Sequence, residues 1–402
     1  MESIEAVAAL MSPEGRVDPY PLYRVLHAGG PALDTGTSGY VVTSYAAIDA
    51  VLRDPYVLVA DASTMDRAWP DWRDHRSVAS IATSMLRTNA PDHTRMRRLA
   101  SGAFTARRVA GLRDTVEAQA AALVADMRGR LAAGETVDVM DAFAYPLPIG
   151  VICALLGVPP GDHAWFRQRA GDLTAVLEPD IDVAELDTAD RGTREMEAYL
   201  EDLVARRRRT SADDLTTALV RASDADPDQL SGDELLANLL LLLVAGFETT
   251  TNLIGNGLVT LMDHPRAAAG LDPDTAPAYV EEFLRYDSPV QLTSRLVTRP
   301  TRVPGLDLPA GAWLMLLLGA ANRDPARFGE PDRFDPWRAD GGPISFGAGA
   351  HYCLGAPLAR LEARIALPLL RDLPGLALAG EPERRDRLTL RGYARLPVTT
   401  TP

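Results

Sequence analysis

The sequence predicts a mainly α-helical protein with a small β region, and three features of the pattern predict it. Apolar residues recur at helical spacing from Asp92 to about Arg208, punctuated by Pro146, Pro148, Pro159 and Pro160. A second helical run opens at Ser231, where S-x-x-E reads as a capping box, and continues without proline to Pro265. Strand signals are confined to a few short stretches.

In chain order, Gly39 to Thr43 (GYVVT) reads as a strand and Tyr45 to Leu52 as a helix ended by Asp54 and Pro55. The arginine run 206–209 closes a helical segment and reads as a solvated helix end. At about 1.5 Å per residue the helix from Ser231 would be roughly 50 Å long, enough to cross a whole domain, and its apolar content marks it as a buried central helix. Thr301 to Leu318 reads as a hairpin turning at Leu308 to Gly311 (LPAG), followed by a proline-rich coil from Asn322 to Pro343. No repeat or flexible linker interrupts the pattern, so residues 1–402 are expected to form one domain.

Composition bounds the chemistry. The chain has 402 residues, 47% of them hydrophobic, and a formal charge of −14, which disfavours a general nucleic-acid binder. All 41 basic residues are arginine, which excludes Schiff-base and lysine-base mechanisms. Two cysteines, Cys153 and Cys353, are too few for a disulfide framework and fit a reducing cytoplasm. The N-terminus lacks a basic segment followed by a long apolar one, so no secretory signal is expected. The greasiest stretch, Leu239 to Phe247, stops at Glu248 and is too short to cross a bilayer, which predicts a protein with no membrane span.

The two cysteines differ in their surroundings. Cys153 lies in the apolar run VICALLGV and reads as an inert core thiol. Cys353 lies in FGAGAHYCLG, 346–355, where Gly347, Gly349 and Gly355 let the backbone lie close to a flat ligand or take unusual dihedrals. A helix with Pro357 in its first turn starts just past the sulfur, so its dipole favours a thiolate. Structural zinc needs about four Cys or His ligands, and no such cluster is present in the sequence. A cysteine nucleophile needs a base, and the His351-x-Cys353 spacing does not by itself supply one. One thiolate suffices if the metal brings four nitrogens of its own, as haem iron does.

These ten residues resemble the haem-binding loop of the cytochrome P-450 family of haem-thiolate monooxygenases, with Phe346, Gly347, Gly349, His351, Cys353 and Gly355 all in place. The resemblance runs from about Pro19 to Pro397. It implies the single-domain family fold, with haem b between the long central helix and the cysteine-bearing loop, and Cys353 on the iron. AGFETT, 245–250, taken alone reads equally as helix polarity at a bend. By resemblance Glu248 and Thr249 manage protons during oxygen activation, with Glu where many relatives carry Asp. EEFLR supplies Glu282 and Arg285 on one helical face, and the resemblance adds Arg338 from RFDPWR as a structural third partner. DHTRMRRL places His93 and Arg97 at i and i+4; by resemblance they join Arg295 and His351 as donors to the haem propionates.

The implied activity is insertion of one oxygen atom from O2 into a lipophilic small molecule, by hydroxylation or epoxidation, with a polyketide, macrolide or peptide metabolite as the expected substrate class. Pocket walls are expected from Met85, Leu86, Leu241, Val244, Ala245, Leu292, Thr293 and Tyr393, while Trp69 and Trp72 read as surface or hinge packing. Electrons are expected from NAD(P)H through a separate ferredoxin reductase and ferredoxin. Arg95, Arg98, Arg107, Arg360 and Arg364 are candidates for the ferredoxin contact, on a cytoplasmic monomer. Two alternatives stand beside this reading. A peroxide-driven oxygenase would typically lack the Glu248 and Thr249 pair, and a noncatalytic auxiliary protein of the same fold would usually lack the cysteine.

Overall fold

The computed structural model describes residues 1–36, 38–102, 104–226 and 228–400. The backbone gathers into two compact units, one of residues 1–58, 120–144 and 249–402, the other of residues 59–119 and 145–248.

The first unit holds the β structure. Its main sheet has five strands in the order Ala32–Asp34, Gly39–Val42, Trp313–Leu317, Leu292–Val297, Val57–Leu58. Gly39–Val42 runs parallel to Trp313–Leu317, and the other neighbours are antiparallel. Side chains alternate across the pleat. Val42, Leu314 and Leu316 pack on Ile48 and Val51 of the helix Tyr45–Arg53. Val41, Leu317 and Leu292 pack on Leu10, Leu22 and Tyr23 of the N-terminal helices. The strand and helix expected at 39–52 are therefore present, but the hairpin is displaced. Thr301–Val303 pairs with Leu306–Leu308 around Pro304 and Gly305, whose φ of +77° suits glycine, and the LPAG segment instead leads into Trp313–Leu317.

The second unit is helical. Its longest complete helix, Val183–Arg209, buries Leu186, Thr193, Met196, Leu200 and Leu203, a spacing of three, four or seven residues that marks one face. Trp72 is buried with Val78, Ala82 and Leu186, and Trp69 packs against that cluster. Trp72 is thus a core residue, where surface or hinge packing was expected. Asp190, on the same long helix, accepts hydrogen bonds from Ser77 N (2.8 Å) and Ser77 Oγ (2.5 Å).

The central helix, Gly232–Asp263, contributes to both units. Ser231 Oγ accepts from Glu234 N at 3.2 Å while Glu234 Oε2 accepts from Ser231 N at 2.9 Å, the reciprocal bonds of a capping box. Taken whole, this helix is long and apolar enough to cross a membrane by length and composition, but 83% of its most apolar window is buried within the protein, as expected of a buried central helix.

Asp287 ties the first unit together. Its carboxylate accepts from Arg391 Nε (2.6 Å), Arg384 Nη2 (3.0 Å) and Tyr20 Oη (2.6 Å), joining the N-terminal helices to the C-terminal segment. Burial pushes the carboxyl up, but Arg391 and Arg384 outweigh it and hold the group well below the ordinary carboxylate range. A depressed native pKa stabilises the fold above the unfolded value of about 3.9, and that contribution fades as pH falls toward the native value. Asp287→Asn is therefore expected to lower stability at pH 7 by about 3–5 kcal/mol by leaving two guanidinia underpaired. The difference from wild type should shrink as the pH of urea titrations is lowered below about 4.

Candidate active site

Cys353 lies at the end of a loop that the fold constrains on three sides. Its own N–H donates to Phe346 O at 2.9 Å, closing residues 346–353 into a loop. Gly347 and Gly349 have φ of +69° and +67°, where glycine is favoured. A Cβ on Gly349 would lie 2.0 Å from Leu52 O, so the loop rests directly on the end of the helix Tyr45–Arg53. The helix Ala356–Arg371, with proline in its first turn, starts three residues past the sulfur. Phe346 is fixed by the Arg360 guanidinium, 4.5 Å over its ring, and Arg360 pairs with Glu281 at 2.5 Å.

Behind the loop lies a buried charge cluster. Arg285 donates from Nε and Nη2 to the two oxygens of Glu282, both at 2.7 Å. Its remaining donors go to the carbonyls of Asn322 (3.0 Å), Pro331 (2.7 Å) and Arg333 (2.9 Å). Arg338 Nε reaches Glu282 Oε2 at 3.2 Å, so the three residues that the resemblance groups together meet. Asn322, which the sequence reading passed over, links this cluster to the loop: its Oδ1 accepts from Ile344 N at 2.8 Å and its Nδ2 donates to Ser345 Oγ at 2.7 Å. It lies in the segment ANRDPARF, 321–328.

On the central helix Glu248 is buried, whereas Thr249 is half-buried and Ala245, one turn before it, is exposed. Thr251 Oγ1 donates to Ala144 O at 3.0 Å, which removes Thr251 from the three consecutive threonines as a proton carrier. Arg295, in the strand Leu292–Val297, is buried and donates to Thr293 Oγ1 (2.9 Å) and Ser294 O (2.7 Å). His351 is half-buried in the short turn before Cys353.

In the second unit His93 is buried and Arg97 half-buried on the helix Asp92–Ser101. Burial first, and then the Arg97 charge, pull the His93 imidazolium down to about 4, so at neutral pH the ring is neutral and can donate one N–H. Met85, Leu241 and Val244 are buried there and Leu86 is exposed. Two expected wall residues have other places. Leu292 belongs to the core around the N-terminal helices. Tyr393 is buried under Arg384, whose guanidinium lies 3.8 Å from the ring centre, with its ring against Gly255. Packing accounts for both.

A half-accessible thiol at a helix start, beside glycines that hold their loop away from Cβ clashes, fits a flat metal macrocycle better than any closed metal cage. The comparisons with known proteins agree. The Cytochrome P450 family model matches residues 186–272 and 275–370. The chain is 41% identical to cytochrome P450 monooxygenase PikC of Streptomyces venezuelae, over 95% of this chain and 91% of that one. The chain belongs to the cytochrome P450 family. It is also 37% identical to 6-deoxyerythronolide B hydroxylase of Saccharopolyspora erythraea, over 98% of both chains. The solved structure of PksS, the Bacillus subtilis bacillaene polyketide synthase cytochrome P450, superposes with a TM-score of 0.84 at 32% identity, covering 98% of this chain and 99% of that one. The fold is thus a cytochrome P450 fold, the enzyme is a P450 monooxygenase, and family membership implies haem as its cofactor.

Two substitutions test how the loop is held. Arg285→Ala leaves the Glu282 carboxylate and three carbonyls short of donors and is expected to cost about 3–5 kcal/mol, with Arg285→Lys restoring little because an ammonium lacks the planar fork. Urea midpoints of the two variants measure this. Gly349→Ala is expected to lower haem loading several-fold through the clash with Leu52 O, read as the ratio of Soret to 280 nm absorbance.

Proposed function

We propose that this P450 binds haem b through the Cys353 thiolate and inserts one oxygen atom of O2 into a lipophilic specialised metabolite of the polyketide or macrolide class, by hydroxylation or epoxidation. The observation that carries the reading is the seating of Cys353 on a glycine loop braced by Leu52 and Asn322. Thiolate-ligated haem supplies the oxygen-activating redox chemistry. The chain's own residues hold, orient and protonate. Phe346, Gly347 and Gly355 shape the bed beside the sulfur. His93, Arg97, Arg295 and His351 are assigned as donors to the two propionates, since carboxylates at a partly buried site require such partners. Thr249 Oγ1 is assigned the last step of proton delivery and the Glu248 carboxylate the step before it. Glu282, Arg285 and Arg338 are assigned to scaffold support.

For the substrate, Ala245 supplies a small accessible surface on the central helix, with Met85, Leu86, Leu241, Val244 and Thr293 as further wall positions. The metabolite class rests on the names of the 6-deoxyerythronolide B hydroxylase and polyketide synthase relatives. Electrons are assigned to NAD(P)H through a ferredoxin reductase and an acidic ferredoxin, with a cytoplasmic monomer carrying residues 1–402 as one catalytic domain. Of the arginines expected at the ferredoxin contact, Arg95 and Arg360 are committed to Glu234 and Glu281, which favours the exposed Arg98 and Arg107.

The reduced protein with carbon monoxide is expected to show the strongly red-shifted Soret band of thiolate ligation, lost in Cys353→Ala. A band typical of histidine-ligated haem would overturn the assignment. With a polyketide lactone that shifts the spin state, Thr249→Ala is expected to lower product formed per NAD(P)H about 10²-fold, the lower end of the range for a proton-transfer group, while hydrogen peroxide release rises.

A further inference from the structure

The arginine run is a solvated helix end, as expected, with Arg206, Arg208 and Arg209 exposed, and it also lines an open cavity. Arg207, Arg208 and Arg209 at the end of the helix Val183–Arg209, and Arg221 from the helix Leu215–Ala225, line a space of about 470 Å³ together with Ser211 and Asp224. The four guanidinia are not equivalent. Arg207 is taken up by Asp214 Oδ2 (2.6 Å) and Gly157 O (2.9 Å), and Arg208 by a forked contact with Asp224 (2.9–3.2 Å). Arg221 meets only a neutral hydroxyl, Ser211 Oγ, at 2.6 Å, and Arg209 has no partner among the described residues. Two guanidinium charges therefore remain uncompensated at one cavity of a protein whose net charge is −14.

Helix capping explains only part of this arrangement. Arginines in a last helical turn interact favourably with the negative end of the dipole. Arg221, however, comes from the middle of a different helix, and a hydroxyl partner does nothing to offset its charge. Guanidinium groups of Arg209 and Arg221 lining one open space, with the Ser211 hydroxyl on Arg221, supply the donor types by which proteins bind phosphate oxygens. We propose that this cavity is a binding site for the phosphate or diphosphate group of a small molecule, with Arg209 and Arg221 as the primary ligands, Ser211 as a hydroxyl donor, and Arg207 and Arg208 as background charge. The site is independent of the haem chemistry proposed above.

Calorimetric titration of the haem-loaded protein with inorganic pyrophosphate, at ionic strength held constant with sodium chloride, tests it. One saturable site is expected, weakened at least tenfold in the double variant Arg209→Ser, Arg221→Ser. Both positions are surface arginines remote in sequence from Cys353, and an unchanged carbon monoxide spectrum and urea midpoint would show the variant to be folded. Absence of saturable binding to wild type would overturn the proposal, and so would equal affinity in the folded double variant, because the anion would then be held elsewhere. Pyridoxal phosphate and glucose 6-phosphate, titrated in the same way, separate a site for phosphate esters, where both bind and both are lost in the variant, from one for free diphosphate, where neither competes with pyrophosphate.

Discussion

A guanidinium carries five N–H donors and stays charged at any physiological pH, so burying one is favourable only if each donor finds an acceptor. Arg285 is almost wholly buried and meets this demand with Glu282 on its own helix and three carbonyls of the coil that follows the sheet. That coil has no regular secondary structure from Asn322 to Pro343, hence no ladder of its own to fix its path. The charge supplies the ordering. Because carbonyls at 322, 331 and 333 must converge on one side chain, a long irregular segment has a single low-energy course, and Arg338 secures it further by returning to Glu282.

The consequence reaches the cysteine through Asn322. Its backbone carbonyl serves Arg285 while its side-chain amide serves Ile344 and Ser345, so one residue belongs to both the charge cluster and the start of the cysteine loop. From the other direction Leu52 O blocks any side chain at 349. A loop that carries a metal ligand gains from such constraint, since a ligand atom displaced by even 1 Å loses much of its effect. The buried Arg285 thus contributes to chemistry it does not touch.

Legibility in the sequence followed the range of the interactions. The cysteine loop was readable because its chemistry is compressed into ten neighbouring residues, and the capping box at Ser231 because both of its bonds span three. The E-x-x-R pair was visible as helical spacing, but its burial was not, since the same spacing on a surface helix would look identical. Longer-range features were hidden. Nothing local to Gly39–Val42 says that it pairs in parallel with Trp313–Leu317 from the far end of the chain. The hairpin was misplaced because Pro304-Gly305 and LPAG both carry turn residues, and the choice rests on which flanking strand finds a partner: 306–308 pairs back on 301–303, whereas 313–317 is taken by the main sheet. Leu292 and Tyr393 were placed in a pocket wall by position, and only their neighbours reveal them as core.

The absence of lysine gives these features a common physical basis. An ammonium can lose its proton when buried and offers three donors without a fixed plane, whereas a guanidinium keeps its charge and presents a rigid fork. Among the described residues, the buried guanidinia of Arg285, held by Glu282 and carbonyls, and of Arg391, held by Asp287 and the carbonyls of Arg16 and Val17, are matched by geometry. Where the matching is complete, the result is a fixed scaffold around otherwise irregular chain. Where it is left incomplete beside open space, as at Arg209 and Arg221, the same permanent charge favours an anionic guest. Structural rigidity and binding capacity in this protein are two outcomes of one rule, set by whether the acceptors come from the chain itself.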